Sequence, residues 1–254
     1  MHDFRQKFVE KLKDFLQNDN FIYCVWEGGS AATGYLDDYS DLDLCLICAD
    51  DQVDNSFQKM HDYFAENYGI RKEYRLPEPN WHGHSQCFYL LENTPEFFYL
   101  DVLIEKLSAG NRFMESDRHG NGLVWFDKKS LFDPTPTPCD EINAKTKRYY
   151  RSMRDSSWVI FLEVKKQIFR ENIVDAAATY QQVLHRLVIL WNLKYRPAKC
   201  DFGLRYTYRD FPPEICSWLE KKMLVTDLNQ MQKNVSEIEQ KFEELIAELA
   251  EKWS

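Results

Sequence analysis

Asp41, Asp43 and Asp101 are the residues whose types and spacing suggest chemistry. Asp41 and Asp43 flank a leucine in WEGGSAATGYLDDYSDLDLCLI, and Asp101 stands alone in FFYLDVLIEK. Each has apolar neighbours, and burying an unpaired carboxylate costs several kcal/mol or forces it to take up a proton. Something positive is therefore expected beside them. If DLDLCLIC is a strand, Asp41 and Asp43 project from one face while Leu42 and Leu44 go to the other. Two carboxylates on one face are hard oxygen ligands, suited to Mg2+ carrying a nucleotide's phosphates. Asp101 can complete a two-metal site or take a proton from an attacking hydroxyl. Upstream, Gly28-Gly29-Ser30 falls where a strand turns into a helix. There, small residues let a phosphate approach backbone N–H groups, so Gly29 and Ser30 are expected to bind the nucleotide.

Competing readings fail on spacing. GGSAATGYL lacks the Gly-Lys-Ser/Thr ending of a P-loop and is not GxGxxG. An EF-hand beginning at Asp37 would need glycine where Leu42 stands and glutamate where Cys48 stands. A solvated acidic turn accounts for Asp37 and Asp38, but not for Asp43 or Asp101. Cys45 and Cys48 form a CxxC, yet residues three apart on a strand face opposite ways, so buried thiols are the better reading. His82-Gly83-His84 reads as a loop rather than a metal pair, since nothing else of zinc-ligand type is spaced nearby. Trp81 is weighed as a stacking ring for a base or substrate.

These residues need elements to position them. Apolar positions Phe4, Phe8, Leu12, Phe15 and Leu16 predict a helix over 4–16, followed by a strand in FIYCVW. A short helical segment after Gly28-Gly29, the strand DLDLCLIC and a helix over about 55–67 come next. RKEYRL, SQCFYLLE and EFFYLDVLIEK read as strands, the last apolar on both faces as a central strand would be. The expectation is an α+β fold, a mixed sheet covered by helices. DPTPTPCDE, with three prolines in five residues, marks a boundary, giving domains 1–134 and 135–254. Beyond it, helical patterns run over about 140–170, 174–195, 212–222 and 227–252. The last carries Leu228, Met231, Val235, Ile238, Phe242, Leu245 and Leu249 in a stripe. It serves either a coiled-coil dimer or, more simply, its own bundle, barely three heptads being present. Cations in this half, Arg196, Lys199 and Arg205, read equally as triphosphate contacts or as plain surface charge, and Lys199 is taken as the nucleotide ligand. Glu163 and Glu171 are assigned to helices, with periodicity unable to orient them.

Gly29-Ser30, ten intervening residues and then Asp41-Leu42-Asp43, with Asp101 later, resemble the nucleotidyltransferase superfamily of DNA polymerase beta and kanamycin nucleotidyltransferase. The fuller string GGSAATGYLDDYSDLDL is similar to the bacterial aminoglycoside and lincosamide branch. The likeness is most specific over Glu27 to Cys48 and extends to about Pro134. In the second half, Arg170-Glu171 and WNLKYRPAKCDFGLRY resemble that branch's helical domain without a diagnostic motif. The resemblance implies a small mixed sheet followed by a helical bundle, ATP as donor, two Mg2+ ions and transfer of AMP to a hydroxyl, with release of pyrophosphate.

Composition sets bounds. The chain has 254 residues, 44% hydrophobic and 29% charged, as in ordinary globular proteins. A net charge of −9 with scattered Lys and Arg speaks against long RNA or DNA and for a small, cationic acceptor such as an aminoglycoside. Seven cysteines at irregular positions suggest reduced thiols, and no segment has the apolar length of a membrane span. A cytoplasmic location is expected. A protein or tRNA acceptor and a silent nucleotide-binding module are the alternatives, the latter disfavoured because all three carboxylates are present.

Overall fold

The computed structural model describes residues 2–225 and 227–253. Two compact units are resolved, one ending at Pro136 and the other beginning at Thr137.

The first unit contains α1 (His2–Gln17), β1 (Ile22–Glu27), α2 (Gly29–Thr33), β2 (Leu42–Cys48), α3 (Val53–Asn67), β3 (Ile70–Arg75), β4 (Ser85–Leu91), β5 (Leu100–Lys106), α4 (Ser116–His119) and β6 (Leu123–Asp127). The strands form one sheet in the order β3-β4-β5-β2-β1-β6. Only β2 and β5 pair in parallel among the described ladders, and both lie at its centre. The sheet is therefore mixed, as the sequence predicts.

Alternation along β2 decides what each face does. Leu42, Leu44, Leu46 and Cys48 are fully buried, with Val102 and Ile104 of β5, Tyr89 of β4, and Phe8, Leu12, Phe57 and Phe64 of α1 and α3. Asp43, Cys45 and Ile47 point the other way. There, Ile47 joins Cys24, Trp26 and Met114 in a small second cluster against which Cys45 packs. The two thiols of the CxxC thus lie on opposite faces.

Two strand starts differ from expectation, and one strand was not expected. β5 begins at Leu100 because Asn93-Thr94-Pro95 forms a turn: Thr94 Oγ1 donates to Leu91 O at 3.2 Å and Phe98 N–H to Pro95 O at 3.0 Å. β2 begins at Leu42, which leaves Asp41 just ahead of the strand. LVWFD forms an unforeseen edge strand, β6, whose short run after Gly120-Asn121-Gly122 gives little alternation to read.

The second unit contains α5 (Cys139–Phe169), α6 (Ile173–Tyr195), α7 (Thr207–Asp210), α8 (Pro213–Met223) and α9 (Leu228–Trp253). Met231, Val235, Ile238, Phe242, Leu245 and Leu249 of α9 are buried against Tyr150, Phe161 and Val164 of α5 and Tyr180, Leu187 and Val188 of α6. The stripe is consumed inside its own bundle. Two of its buried polar side chains are tied together, Tyr180 OH donating to Lys222 O at 2.8 Å and Lys222 Nζ donating to Asn234 Oδ1 at 2.8 Å.

Candidate active site

Asp43 and Asp101 are direct register partners on the parallel strands β2 and β5, so their side chains stand together on the sheet face opposite α1 and α3. The same row continues through Phe88 of β4 to Tyr74 of β3, whose rings stack with centroids 6.3 Å apart. Asp41 adjoins this pair from the segment entering β2.

The glycine turn closes on Asp43. Gly28 N–H donates to Asp43 O at 2.8 Å. Gly29 has φ +54°, and a Cβ there would lie 1.6 Å from Asp43 Oδ2, so only glycine allows the turn to approach. Ser30 is the next residue, in the first turn of α2. No side chain caps that helix, and the first N–H groups of a helix have no intrahelical acceptor.

The site is crowded with negative charge. Burial, then repulsion from Asp41, Asp101 and Glu27, pushes Asp43 up to about 7, while Arg5 opposes the shift. Asp101 is also raised by burial, against a hydrogen bond from Gln86 Nε2 to its Oδ1 at 2.6 Å. Tyr99 stands beside Asp41, its hydroxyl pKa raised by burial and by that carboxylate. The cation expected near the acids is Arg5, whose guanidinium bonds Glu27 and donates to Asp41 O at 3.2 Å. It is already neutralised by Glu27, so the three aspartates remain short of positive charge. Hard oxygen donors in that state suit a divalent cation. Among the described residues, however, no three His, Cys, Asp or Glu side chains close into a metal-holding group as they stand.

Arg5, Glu27, Gln86 and Glu105 are site features that local reading misses. Gln86 had a signal, a polar residue on the alternating side of SQCFYLLE. Glu105 had one too, lying four residues after Asp101 and hence on its face. It is fully buried, and burial raises its pKa to about 7. Phe113 N–H donates to its Oε1 at 3.3 Å, while Oε2 has no hydrogen-bond partner.

The other candidates fall elsewhere. Asp37 Oδ1 accepts from Tyr39 N–H and Ser40 Oγ, ordering an exposed turn. His82 and His84 are buried, with ring centroids 5.8 Å apart, whereas Trp81 is 87% exposed. Lys199 belongs to the second unit, where its Nζ lies 3.4 Å from Asp210 Oδ2. Arg196 Nη1 shares that carboxylate at 2.9 Å, and the Arg205 guanidinium lies over the Phe202 ring. Glu163 pairs with Lys166 along α5. Glu171 is not helical: it follows the end of α5 with φ +58°.

A mixed sheet carrying acidic residues on its central parallel strands beside a glycine-serine turn is the arrangement of a nucleotidyltransferase. Over residues 4–254 the sequence matches the family model described as streptomycin adenylyltransferase, so the chain belongs to that family and is an adenylyltransferase-class enzyme. No match is found among curated proteins. Among solved structures it is similar to a nucleotidyltransferase-like protein from Exiguobacterium sibiricum 255-15. That protein is 14% identical, with 96% of this chain and 73% of that one covered at a TM-score of 0.35, too loose a superposition to add to the family match.

Proposed function

We propose that this enzyme transfers AMP from ATP to a hydroxyl of a small cationic acceptor of the aminoglycoside type, streptomycin being the first to test, and releases pyrophosphate. The observation that carries the reading is the pairing of Asp43 with Asp101 beside Gly29, within a chain of this family.

In this reading Asp41, Asp43 and Asp101 hold Mg2+, two ions by the family resemblance. When bound, the metal supplies charge stabilisation to the phosphate oxygens. Gly29 and Ser30 hold the triphosphate, the Ser30 hydroxyl and first-turn N–H groups acting as donors. Lys199 is proposed as a further triphosphate contact, which requires it to exchange its Asp210 partner. The acceptor hydroxyl loses its proton to Asp101 or to a neighbouring carboxylate of the set. Its oxygen bonds to the α phosphorus in line, and the bond from that phosphorus to the bridging oxygen breaks. Metal binding and the transfer step are assigned to residues 1–134, and acceptor choice, with the Lys199 contact, to residues 135–254. Long nucleic acid is an unsuitable partner for a chain of net charge −9. No helix among the described residues is long and apolar enough to cross a membrane. From the seven cysteines at irregular positions, which suit a reducing compartment, we assign the enzyme to the cytoplasm.

Incubation with each α-labelled nucleoside triphosphate, Mg2+ and a panel of aminoglycosides, tRNA and proteins tests the reading. Label passing from ATP to an aminoglycoside is expected. Label confined to tRNA or protein would sink the small-acceptor assignment.

A further inference from the structure

The loop before β4 ends in a chain of hydrogen bonds aimed at Asp101. Gln86 pairs with Leu103 in the β4–β5 ladder and reaches diagonally along the same face to Asp101, donating from Nε2 to Oδ1 at 2.6 Å. A side-chain amide can present either end. With Oε1 turned to Asp101, two acceptors would meet and the contact would be lost.

His82 decides between the two orientations. Its Nδ1 lies 3.2 Å from the backbone N–H of His84, a donor that cannot reverse its role. Nδ1 must therefore be the acceptor, which puts the ring proton on Nε2. Nε2 lies 3.2 Å from Gln86 Oε1. Every donor then meets an acceptor in one direction only, from His84 N–H through His82 and Gln86 to Asp101.

The loop is built to hold that ring. Asn80 Oδ1 accepts from His82 N–H at 3.2 Å and Gly83 N–H at 2.8 Å, and Asn80 Nδ2 donates to His84 O at 2.6 Å. Asn111 Nδ2 donates to His82 O at 3.1 Å. Gly83 turns the chain at φ +79°, a left-handed position that favours glycine. The Phe113 ring lies edge-on to both imidazoles. Burial keeps His82 neutral by lowering its pKa, so Nδ1 stays open to the His84 N–H.

We propose that His82 and Gln86 are positioning residues for Asp101: Gln86 occupies Oδ1, His82 fixes the orientation of the Gln86 amide, and Oδ2 is left to face the nucleotide-bound divalent cation; this rests on the reading of Asp101 as a metal ligand. Neutral donors beside a carboxylate ligand fix its orientation without competing for the ion.

Two measurements on the full chain test it. The first is Mn2+ titration in the presence of ATP, comparing wild type, Asp101→Asn, Gln86→Met, His82→Phe and the double variant. Asp101→Asn should abolish tight Mn2+ binding. Gln86→Met should weaken it roughly 10-fold, the usual effect of removing a partner of a metal ligand. His82→Phe should weaken it less, and should add nothing in the Gln86→Met background because both act through one chain. The second, independent of folding in any variant, is 15N NMR of wild-type imidazoles, where His82 should carry its proton on Nε2.

Additive losses would show that the loop merely packs, and overturn the proposal. So would an Nδ1-protonated His82. Wild-type affinity in Gln86→Met with loss in Asp101→Asn would overturn the positioning role alone, leaving the metal reading intact. Wild-type affinity in Asp101→Asn would overturn both.

Discussion

The two faces of the central sheet are made by the same strands and do opposite work. On the face toward α1 and α3, Leu42, Leu44 and Leu46 are fully buried in a continuous apolar core. One residue along, Cys45 and Ile47 meet a small apolar cluster, while Asp43 stands with the raised carboxylate of Asp101 and the glycine turn. The first face lowers the free energy of the fold by removing apolar area from water. The second raises it by holding charge where solvent is scarce and like charges adjoin. A mixed sheet tolerates this because its large core offsets the strain of its smaller side.

The comparison is broken most severely at Asp43 or Asp101. Substituting Asn at either should reduce transfer roughly 10³-fold, the upper range for losing one electrostatic stabiliser of a transition state. The metal-free Asp43→Asn protein should nevertheless melt no lower than wild type, because repulsion is relieved. MgATP should raise the melting temperature of the wild type but not of either variant. Equal MgATP shifts in all three proteins would place the metal elsewhere.

One residue along, Leu44→Ala should do the reverse. Emptying a fully buried leucine costs about 2–5 kcal/mol, read as a lower denaturation midpoint. Turnover per folded molecule should stay close to wild type, and a selective loss of turnover would mean that the two faces are not separable.

Glu105 sharpens the contrast through pH. Burial holds its folded pKa at about 7, above the unfolded value, so the folded state binds the proton more tightly. The associated stability is fully present below about pH 4 and disappears as pH rises through 7. Glu105→Gln should match wild type in acid and exceed it by about 3 kcal/mol at pH 8 in chemical denaturation. A constant difference across that range would assign the effect to packing.

Ser30→Ala should give the smallest effect, weakening nucleotide binding by about 1–2 kcal/mol, the scale of one hydrogen bond to a charged group. Calorimetric titration with ATP measures it. Unchanged affinity would leave the turn beside Asp43 without a phosphate role.

Much of the α+β architecture was readable in local pattern. The three-and-four stripe of α9 and the alternation of β2 and β4 are short-range properties, and apolar residues at those periods have few other ways to leave water. β6 was not readable, because a five-residue edge strand is chosen by its pairing with β1. The stripe of α9 likewise did not reveal its partner; the facing residues of α5 and α6 supplied it.

For the candidate site, composition and spacing single out carboxylates that apolar neighbours would bury, and glycine where a close approach is needed. They do not say which residues meet. Asp43 and Asp101 are 58 positions apart and become neighbours only because β2 and β5 pair in parallel and in that register. A slip of one residue would send either carboxylate into the apolar core. The Arg5–Glu27 pair, the amide of Gln86 beside Asp101 and the buried carboxyl of Glu105 depend on the same pairing and on the docking of α1. Local sequence sets the period with which side chains alternate, because that follows from backbone geometry alone. Tertiary structure sets which charges share a site, because that depends on contacts between segments whose separation along the chain carries no directional information.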